Sequence, residues 1–162
     1  MLLTLFTLFH VALSLAGIAS GFIVVYGLLA SRHLSGWTRF FLATTVLTSV
    51  TGFLFPVHHF MPSHGVGIIS LILLAVAIYA LYARCLAGVW RRIYAVTAVL
   101  ALYLNVFVLV VQLFEKVPAL KALAPTQTEM PFKVTQLAVL TLFLLLTVFS
   151  AIKFRVEPVQ AA

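Results

Sequence analysis

The chain has 162 residues, of which 64% are hydrophobic and only 8% are charged, whereas soluble globular domains carry about 25% charged residues. This composition predicts an integral membrane protein, and it excludes a separate soluble catalytic domain within these residues because the longest soluble-looking block is 115–132. The net charge of +7 is scattered over short loops and helix ends, a pattern that is typical of membrane topology and argues against a nucleic-acid partner.

Five apolar runs follow one another along the chain, and each is long enough for the ~20 residues that cross a hydrocarbon core of ~30 Å. The runs cover residues 2–30, 40–57, 65–83, 93–114 and 132–152. Only helices and closed barrels satisfy their own backbone hydrogen bonds in lipid, and no alternating barrel pattern is present. The sequence therefore predicts an all-α fold, with one transmembrane domain over 1–162 that forms a bundle of five helices.

The first run carries small and polar residues on one helical face. Thr7, His10, Ser14, Gly17 and Gly21 follow one another at steps of three or four residues, the spacing that aligns side chains on one side of a helix. Helices in lipid meet through small and polar residues, and Gly17 with Gly21 forms a GxxxG pair. We therefore expect Ser14, Gly17 and Gly21 to pack against other helices, with His10 turned toward the bundle.

The second run repeats this arrangement. Thr44, Thr48, Thr51 and His58 lie at compatible helical spacing, and Gly52 lies beside them. This face is expected to turn inward, since helices in lipid meet through small and polar residues.

The last three runs differ in their polar content. The third is the most uniformly apolar, above all over residues 70–82, and we expect it to be the helix most exposed to lipid or to a partner. The fourth contains Asn105 and Gln112, and the fifth begins with Gln136. Polar side chains within a membrane usually face an interior or a cavity, so these three residues are expected to face inward.

Basic residues predict the orientation, because loops on the cytoplasmic side are enriched in Lys and Arg. One face of the predicted bundle collects Arg32, Arg39, Arg84, Arg91, Arg92, Lys153 and Arg155. The opposite face has Lys116, Lys121 and Lys133. We therefore expect the N-terminus outside and the C-terminus in the cytoplasm, which leaves the segment FPVHHFMPSH outside.

The histidines of that outer segment predict a pocket near the outer face. The first run spans ~43 Å at ~1.5 Å per residue, about 13 Å more than the hydrocarbon core. If the excess protrudes outside, His10 comes level with His58 and His59. The predicted pocket residues are His10, His58, His59, His64, Asn105, Gln112 and Gln136.

Several ligands are compatible with this cluster. Haem b needs two neutral imidazoles at matching depth on facing helices, and His10 with His58 or His59 would supply them; which of the two His10 meets stays open. The same imidazoles suit a metal such as copper, zinc or nickel. A quinone needs a His or Gln near the interface and apolar walls. Histidines that are simply solvated at the interface are the alternative without a ligand.

A second class of function needs no chemistry of its own. The GxxxG pair and the apolar third run also suit a structural or assembly subunit, whose partners are the lipid bilayer and either a second copy or a larger membrane complex. The chain has no Asp, and its three acidic residues lie outside the apolar runs, which disfavours an ion-coupled carrier. No hydrolase, kinase or thiol-redox motif is present, so whether the protein is an enzyme stays open.

Three stretches of the chain carry a resemblance, namely FLATTVLTSVTGFLFP, VGIISLILLAVAIYALY and ALYLNVFVLVVQLFEKVPALKALAPTQTEMPF. In these stretches the chain resembles a group of small, uncharacterised bacterial inner-membrane proteins. The similarity covers most of the chain, from the first run to the fifth. It implies a multi-pass protein of the bacterial inner membrane, and it carries over no activity, cofactor or site residue.

Overall fold

A computed structural model of the protein describes residues 1–55 and 62–155, and these residues form six α-helices without any strand. The helices are α1 Leu2–Leu29, α2 Ser35–Gly52, α3 Pro62–Ile78, α4 Val89–Lys116, α5 Pro118–Leu123 and α6 Met130–Lys153. A π-helical turn over Tyr79–Ala83 extends α3 toward α4. The prediction of an all-α fold is confirmed for the described residues.

Four of these helices are long and apolar enough to cross a membrane. They are Leu2–Leu29, His64–Ala83 with its π-helical turn, Val89–Lys116 and Met130–Lys153. The chain is therefore a helical membrane protein, as its composition predicts. The helix α2 has 18 residues and is not one of the four. It begins five residues before the predicted second run, and the end of that run, at residues 56 and 57, lies outside the described residues.

The helix α4 occupies the centre of the bundle. It packs against α1, α3, α5 and α6, while α2 packs mainly along α1 and α3. Tyr94, Val99, Ala101 and Leu102 of α4 are completely buried. Small side chains such as Ala98 and Ala101 let neighbouring backbones approach, which is how helices gain packing energy in lipid.

Glycine in α1 permits the closest approach between helices. A Cβ atom at Gly21 would lie 2.5 Å from Cδ1 of Leu102 and 2.9 Å from Cε2 of Phe41. A Cβ at Gly17 would lie 3.3 Å from the hydroxyl of Thr44. The two residues predicted to pack thus lie where α1 meets α2 and α4, and Gly21 has no room for a larger side chain.

The most exposed of the four apolar helices is α6, so the prediction that the third run would be the most exposed is wrong. Within their apolar stretches, 28% of the residues of α3 are buried but only 11% of those of α6. The reason is position, since α3 packs between α2 and α4 whereas α6 lies on the outside of α4 and α1. An apolar pattern alone does not distinguish these places.

The bundle has two unlike ends. The first, which we name the basic end, comprises residues 30–34, 84–88 and 153–155 together with the adjoining helix turns. Its basic residues are Arg32, Arg39, Arg84, Arg91, Arg92, Lys153 and Arg155. The second, the cavity end, is where α2 and α4 end and where α3 and α6 begin. In the described part of the chain the two acidic residues, Glu115 and Glu129, are both at the cavity end.

Candidate functional site

A cavity of about 110 Å³ opens between α1, α2, α3 and α4 toward the cavity end. It is lined by His10, Ser14, Thr48, Ser49, Gly52, Phe53, His64, Val66, Gly67, Ser70, Leu104, Asn105 and Val108. A volume of this size holds several water molecules but is below the ~300–1,000 Å³ that encloses a drug-sized ligand. The cavity therefore suits the polar head of a ligand whose remainder lies outside it.

His10 has one ring nitrogen engaged and one left for a ligand. The hydroxyl of Thr51 donates its single proton to the carbonyl oxygen of Leu47 at 2.7 Å. Nδ1 of His10 lies 2.8 Å from this hydroxyl oxygen. With the Thr51 proton on Leu47, Nδ1–H of His10 donates to the hydroxyl, and the neutral imidazole then keeps its lone pair on Nε2. The edge-on ring of Phe55, with centroids 5.1 Å apart, further fixes the imidazole.

Thr48 contributes a hydroxyl without a protein partner. Its side chain lines the cavity and is only 8% exposed, yet its oxygen has no hydrogen-bond partner in the described residues. Buried hydroxyl groups are normally paired, because an unmade hydrogen bond costs about 1–3 kcal/mol. Among the described residues this hydroxyl therefore keeps an unmade hydrogen bond beside the cavity.

Two hydrogen bonds between helices form the inner wall. The hydroxyl of Ser49 in α2 donates to that of Ser70 in α3 over 3.2 Å. The amide nitrogen of Asn105 in α4 donates to the hydroxyl of Thr45 in α2 over 3.4 Å. One pair joins α2 to α3 and the other joins α2 to α4, so the two pairs fix the positions of three helices around the cavity. They also satisfy polar groups that would find no hydrogen-bond partner in lipid.

Phe53 and His64 form the wall at the junction of α2 and α3. Their rings stack with centroids 5.6 Å apart and planes 14° apart. Gly67 allows the aromatic ring to come close, since a Cβ there would lie 3.0 Å from Cζ of Phe53. The ring of Phe53 is nevertheless 39% exposed, so it separates the cavity from the surroundings.

The structure brings together some of the residues predicted for the pocket. His10, His64 and Asn105 line the cavity, as do Ser14 and Gly52, for which we predicted a packing role. His58 and His59 lie outside the described residues. The haem and metal ligand pairs that include them are therefore not described.

Gln112 and Gln136 do not line the cavity. Gln112 is exposed because it lies seven residues, or about 10 Å, beyond Asn105 and past Val108, which lines the cavity. Gln136 is on α6, which packs on the other side of α4, and its amide donates to the carbonyl oxygen of Phe107 at 3.2 Å. Helical spacing places both on a suitable face but does not fix their neighbours.

Other lining residues were not predicted as site residues. Thr48 belonged to the predicted polar face of the second run, whereas Ser49 and Ser70 had no assigned role. The signal for Ser70 was one serine within the otherwise apolar segment from 65 to 78. Such a residue can bond its own helix backbone, so sequence alone does not show that it faces Ser49.

The lining determines which chemistry is available. Among the described residues, those that line the cavity include neither an acidic side chain nor Lys or Arg, and no group of three His, Cys, Asp or Glu could hold a metal ion. The site therefore offers hydrogen bonds from neutral groups and the lone pair of one imidazole. No protein-family model, curated protein or solved structure matches the chain, so the geometry of the cavity is the basis for its function.

Proposed function

We propose that the protein spans the bilayer five times and binds the head group of a quinone-class ligand in the cavity between α1, α2, α3 and α4. The observation that carries this proposal is the side chain of Thr48, which lines the cavity and whose buried hydroxyl has no partner among the described residues. Orphan polar groups of this kind are the ones that fix a ligand in an otherwise apolar pocket.

The fifth span would be α2, whose two faces support a position in lipid. Its buried polar residues are Thr38, Thr44, Thr45, Thr48 and Ser49. Its exposed large side chains are Trp37, Phe40, Leu47 and Val50. This arrangement is the reverse of that in a water-soluble helix, and 18 residues rise about 27 Å at ~1.5 Å each. The polar residues that lower its hydropathy face the other helices rather than lipid.

The basic end would then face the cytoplasm, with the N-terminus and the cavity outside. Seven basic residues at that end, against three lysines at the other, support this orientation. A place in the bacterial inner membrane is part of the proposal and follows from the resemblance of the sequence.

The hydrogen-bonding groups of the cavity match the two oxidation states of a quinone. The hydroxyl of Thr48 can donate to a quinone carbonyl, and Nε2 of His10 can accept from a quinol hydroxyl. Both groups are neutral, as is the ligand, so binding requires no charge to be buried. A ring enters the cavity of about 110 Å³, and its apolar tail remains in the surrounding lipid.

Haem b is the second candidate, and the orientation of His10 favours it. An imidazole that ligates iron usually has its other nitrogen held by a second partner, as Thr51 holds Nδ1 of His10. The second ligand would be His58 or His59. Because the cavity is below the size that encloses a drug-sized ligand, a haem would require the helices to separate further, whereas a quinone ring would not.

Equilibrium binding of a short-chain benzoquinone to the detergent-purified protein tests the proposal. We expect Thr48→Val and His10→Gln each to weaken binding by about tenfold, the effect of losing roughly 1.4 kcal/mol. Thr141→Val is the matched control, since its hydroxyl on α6 is exposed and bonds the carbonyl of Leu137 within its own helix. The Thr141→Val variant should bind the benzoquinone with the same affinity as the unmodified protein.

The same sample separates the alternatives. A Soret band that shifts on reduction and disappears in His10→Gln would show that the ligand is haem b rather than a quinone. A protein that binds neither the quinone nor haem, yet copurifies with other membrane proteins, would support the structural or assembly subunit instead. Equal affinities for Thr48→Val and Thr141→Val would contradict the proposed site.

A further inference from the structure

The basic end contains a cluster of cationic side chains around the buried ring of Tyr94. The ring of His33 lies edge-on to Tyr94 with centroids 6.5 Å apart, and the ring of Phe154 lies 6.0 Å from it. Arg39 is close enough to His33 for its charge to act on the imidazole. Residues from the α1–α2 loop, from α2 and from the C-terminal segment thus meet at the beginning of α4.

The chain after α6 is attached at this point. The backbone N–H of Arg155 donates to the hydroxyl of Ser31 at 2.9 Å, and the neighbouring Phe154 is 1% exposed. These contacts bring Arg155 beside the loop that carries Arg32 and His33. The side-chain Nε–H of Arg155 donates to the carbonyl oxygen of Ile152 at 3.5 Å. Positive charges that share one end of the bundle repel one another, and an anion among them would offset this repulsion.

Two nitrogens of the cluster are buried and have no hydrogen-bond partner within residues 1–55 and 62–155. They are Nε2 of His33 and Nε of Arg91, and Arg91 precedes Tyr94 by three residues, which places it on the same face of α4. No acidic side chain of the described residues is at this end. The first turn of α4 adds the positive end of a helix dipole.

We propose that this cluster binds the phosphodiester head group of an anionic membrane lipid. The phosphate oxygens would accept hydrogen bonds from the guanidinium of Arg91 and from His33, and the charges of Arg32, Arg39 and Arg155 would surround them. Basic sites between transmembrane helices are suited to anionic head groups. This site does not depend on quinone binding, which takes place at the opposite end.

A lipid fits better than free phosphate because apolar surface adjoins the cluster. Tyr26 near the end of α1 is 65% exposed, and Trp37 and Phe40 at the beginning of α2 are 47% and 48% exposed. The rings of Trp37 and Phe40 lie edge-on with centroids 6.4 Å apart. Aromatic side chains of this kind are enriched at membrane interfaces, and they would contact the acyl chains of a lipid held by its phosphate.

The protonation of His33 should respond to an anion bound in this cluster. Burial, and next the charge of Arg39, lower the pKa of the His33 imidazole below 6.5. A phosphodiester beside the imidazole would oppose both effects by favouring the protonated form. Lipid binding should therefore raise the pKa of His33, which can be followed by NMR of the labelled imidazole.

Native mass spectrometry of the detergent-purified protein, titrated with phosphatidylglycerol or phosphatidylcholine of the same acyl chains, tests the proposal. We expect phosphatidylglycerol to bind more tightly, and Arg91→Gln to reduce its affinity about fivefold, the effect of one basic group near an anionic head group. Lys121→Gln removes the same charge at the cavity end and should change nothing. Arg84→Gln is a second control, because Arg84 is at the basic end but stacks over Trp90 at 5.2 Å.

Each alternative has a distinct outcome. Equal binding of the two lipids would overturn the proposal, as would equal losses in Arg91→Gln and Arg84→Gln, which would indicate a diffuse surface charge. If inorganic phosphate displaced phosphatidylglycerol from the cluster, the cluster would be a site for a free anion, and the lipid assignment would be overturned as well. Arg155→Gln changes a residue outside the helices, so it tests the site even if Arg91→Gln does not fold; its binding should fall as well.

Discussion

The cavity end and the basic end hold polar groups in different ways. Near the cavity, the polar groups are neutral and paired between helices, as in Asn105 with Thr45 and Ser49 with Ser70. At the basic end, the groups are cationic and lie at loops and helix termini. Neutral pairs can be accommodated at depth in lipid, whereas charges are stable only where water or a counter-ion reaches them. This difference is the reason that we propose a neutral ligand for one end and an anion for the other.

The two ends share one packed centre, and they can be separated by substitution. Tyr94, Val99 and Leu102 of α4 are buried between them. A substitution in this centre should affect both ends, while a substitution in either lining should affect only one.

Gly21→Ala should have the largest effect, because it enlarges a residue of the shared centre. The added Cβ would lie 2.5 Å from Leu102 and 2.9 Å from Phe41, both of which are at most 1% exposed. Overpacking of this kind costs about 1–3 kcal/mol. Unfolding in detergent should show this loss, and binding at both ends should weaken. Gly36→Ala is the control, since no atom lies within 4 Å of its Cβ position; equal stabilities of the two variants would contradict the packing.

Thr45→Val and Thr48→Val form a matched pair that affects only the cavity end. Thr45→Val leaves the amide of Asn105 without its partner, and we expect a loss of about 1 kcal/mol in the free energy of unfolding. Thr48→Val removes a hydroxyl that has no protein partner among the described residues, so stability should be retained while quinone affinity falls. Phosphatidylglycerol binding should be the same in both variants. A larger loss of stability in Thr48→Val would show that its hydroxyl is already paired.

The pH dependence of stability should reflect the burial of His33 at the basic end. The folded-state pKa of His33 is below its unfolded value of 6.5, so the unfolded chain binds more protons as the pH falls through this range. The contribution of His33 therefore makes the protein less stable below pH 6.5 and is constant above it. Between about pH 5 and pH 8, the melting temperature should therefore change less with pH in His33→Gln than in the unmodified protein. An unchanged slope would show that other groups determine it.

Gly67→Ala should have the smallest effect on stability. Its Cβ would lie 3.0 Å from Phe53, but this ring is 39% exposed and can shift. Because alanine also favours the helix, we expect the free energy of unfolding to change by at most about 0.5 kcal/mol. The displaced ring should instead alter the rate at which the benzoquinone enters the cavity, measured by stopped flow. An unchanged rate would mean that the ligand enters elsewhere.

Periodicity in the sequence determined which faces of the helices turn inward. The three- and four-residue spacing in the first run indicated that His10, Gly17 and Gly21 share a face, and in the structure these residues lie against α2 or line the cavity. Composition determined the membrane class, because a chain with 8% charged residues has too little polar surface for a soluble fold. These properties depend on residue type and local spacing, which are read directly from the chain.

The tertiary structure alone decided which polar residues meet. Asn105 lines the cavity while Gln112, on the same face of α4, is exposed beyond it. The helix α3 is more uniformly apolar than α6, yet α3 packs between two neighbours and α6 lies outside. Apolar side chains gain nearly as much from lipid as from each other, so close packing at residues such as Gly21 selects the neighbours. That selection involves residues far apart in the chain, and only the folded arrangement reveals it.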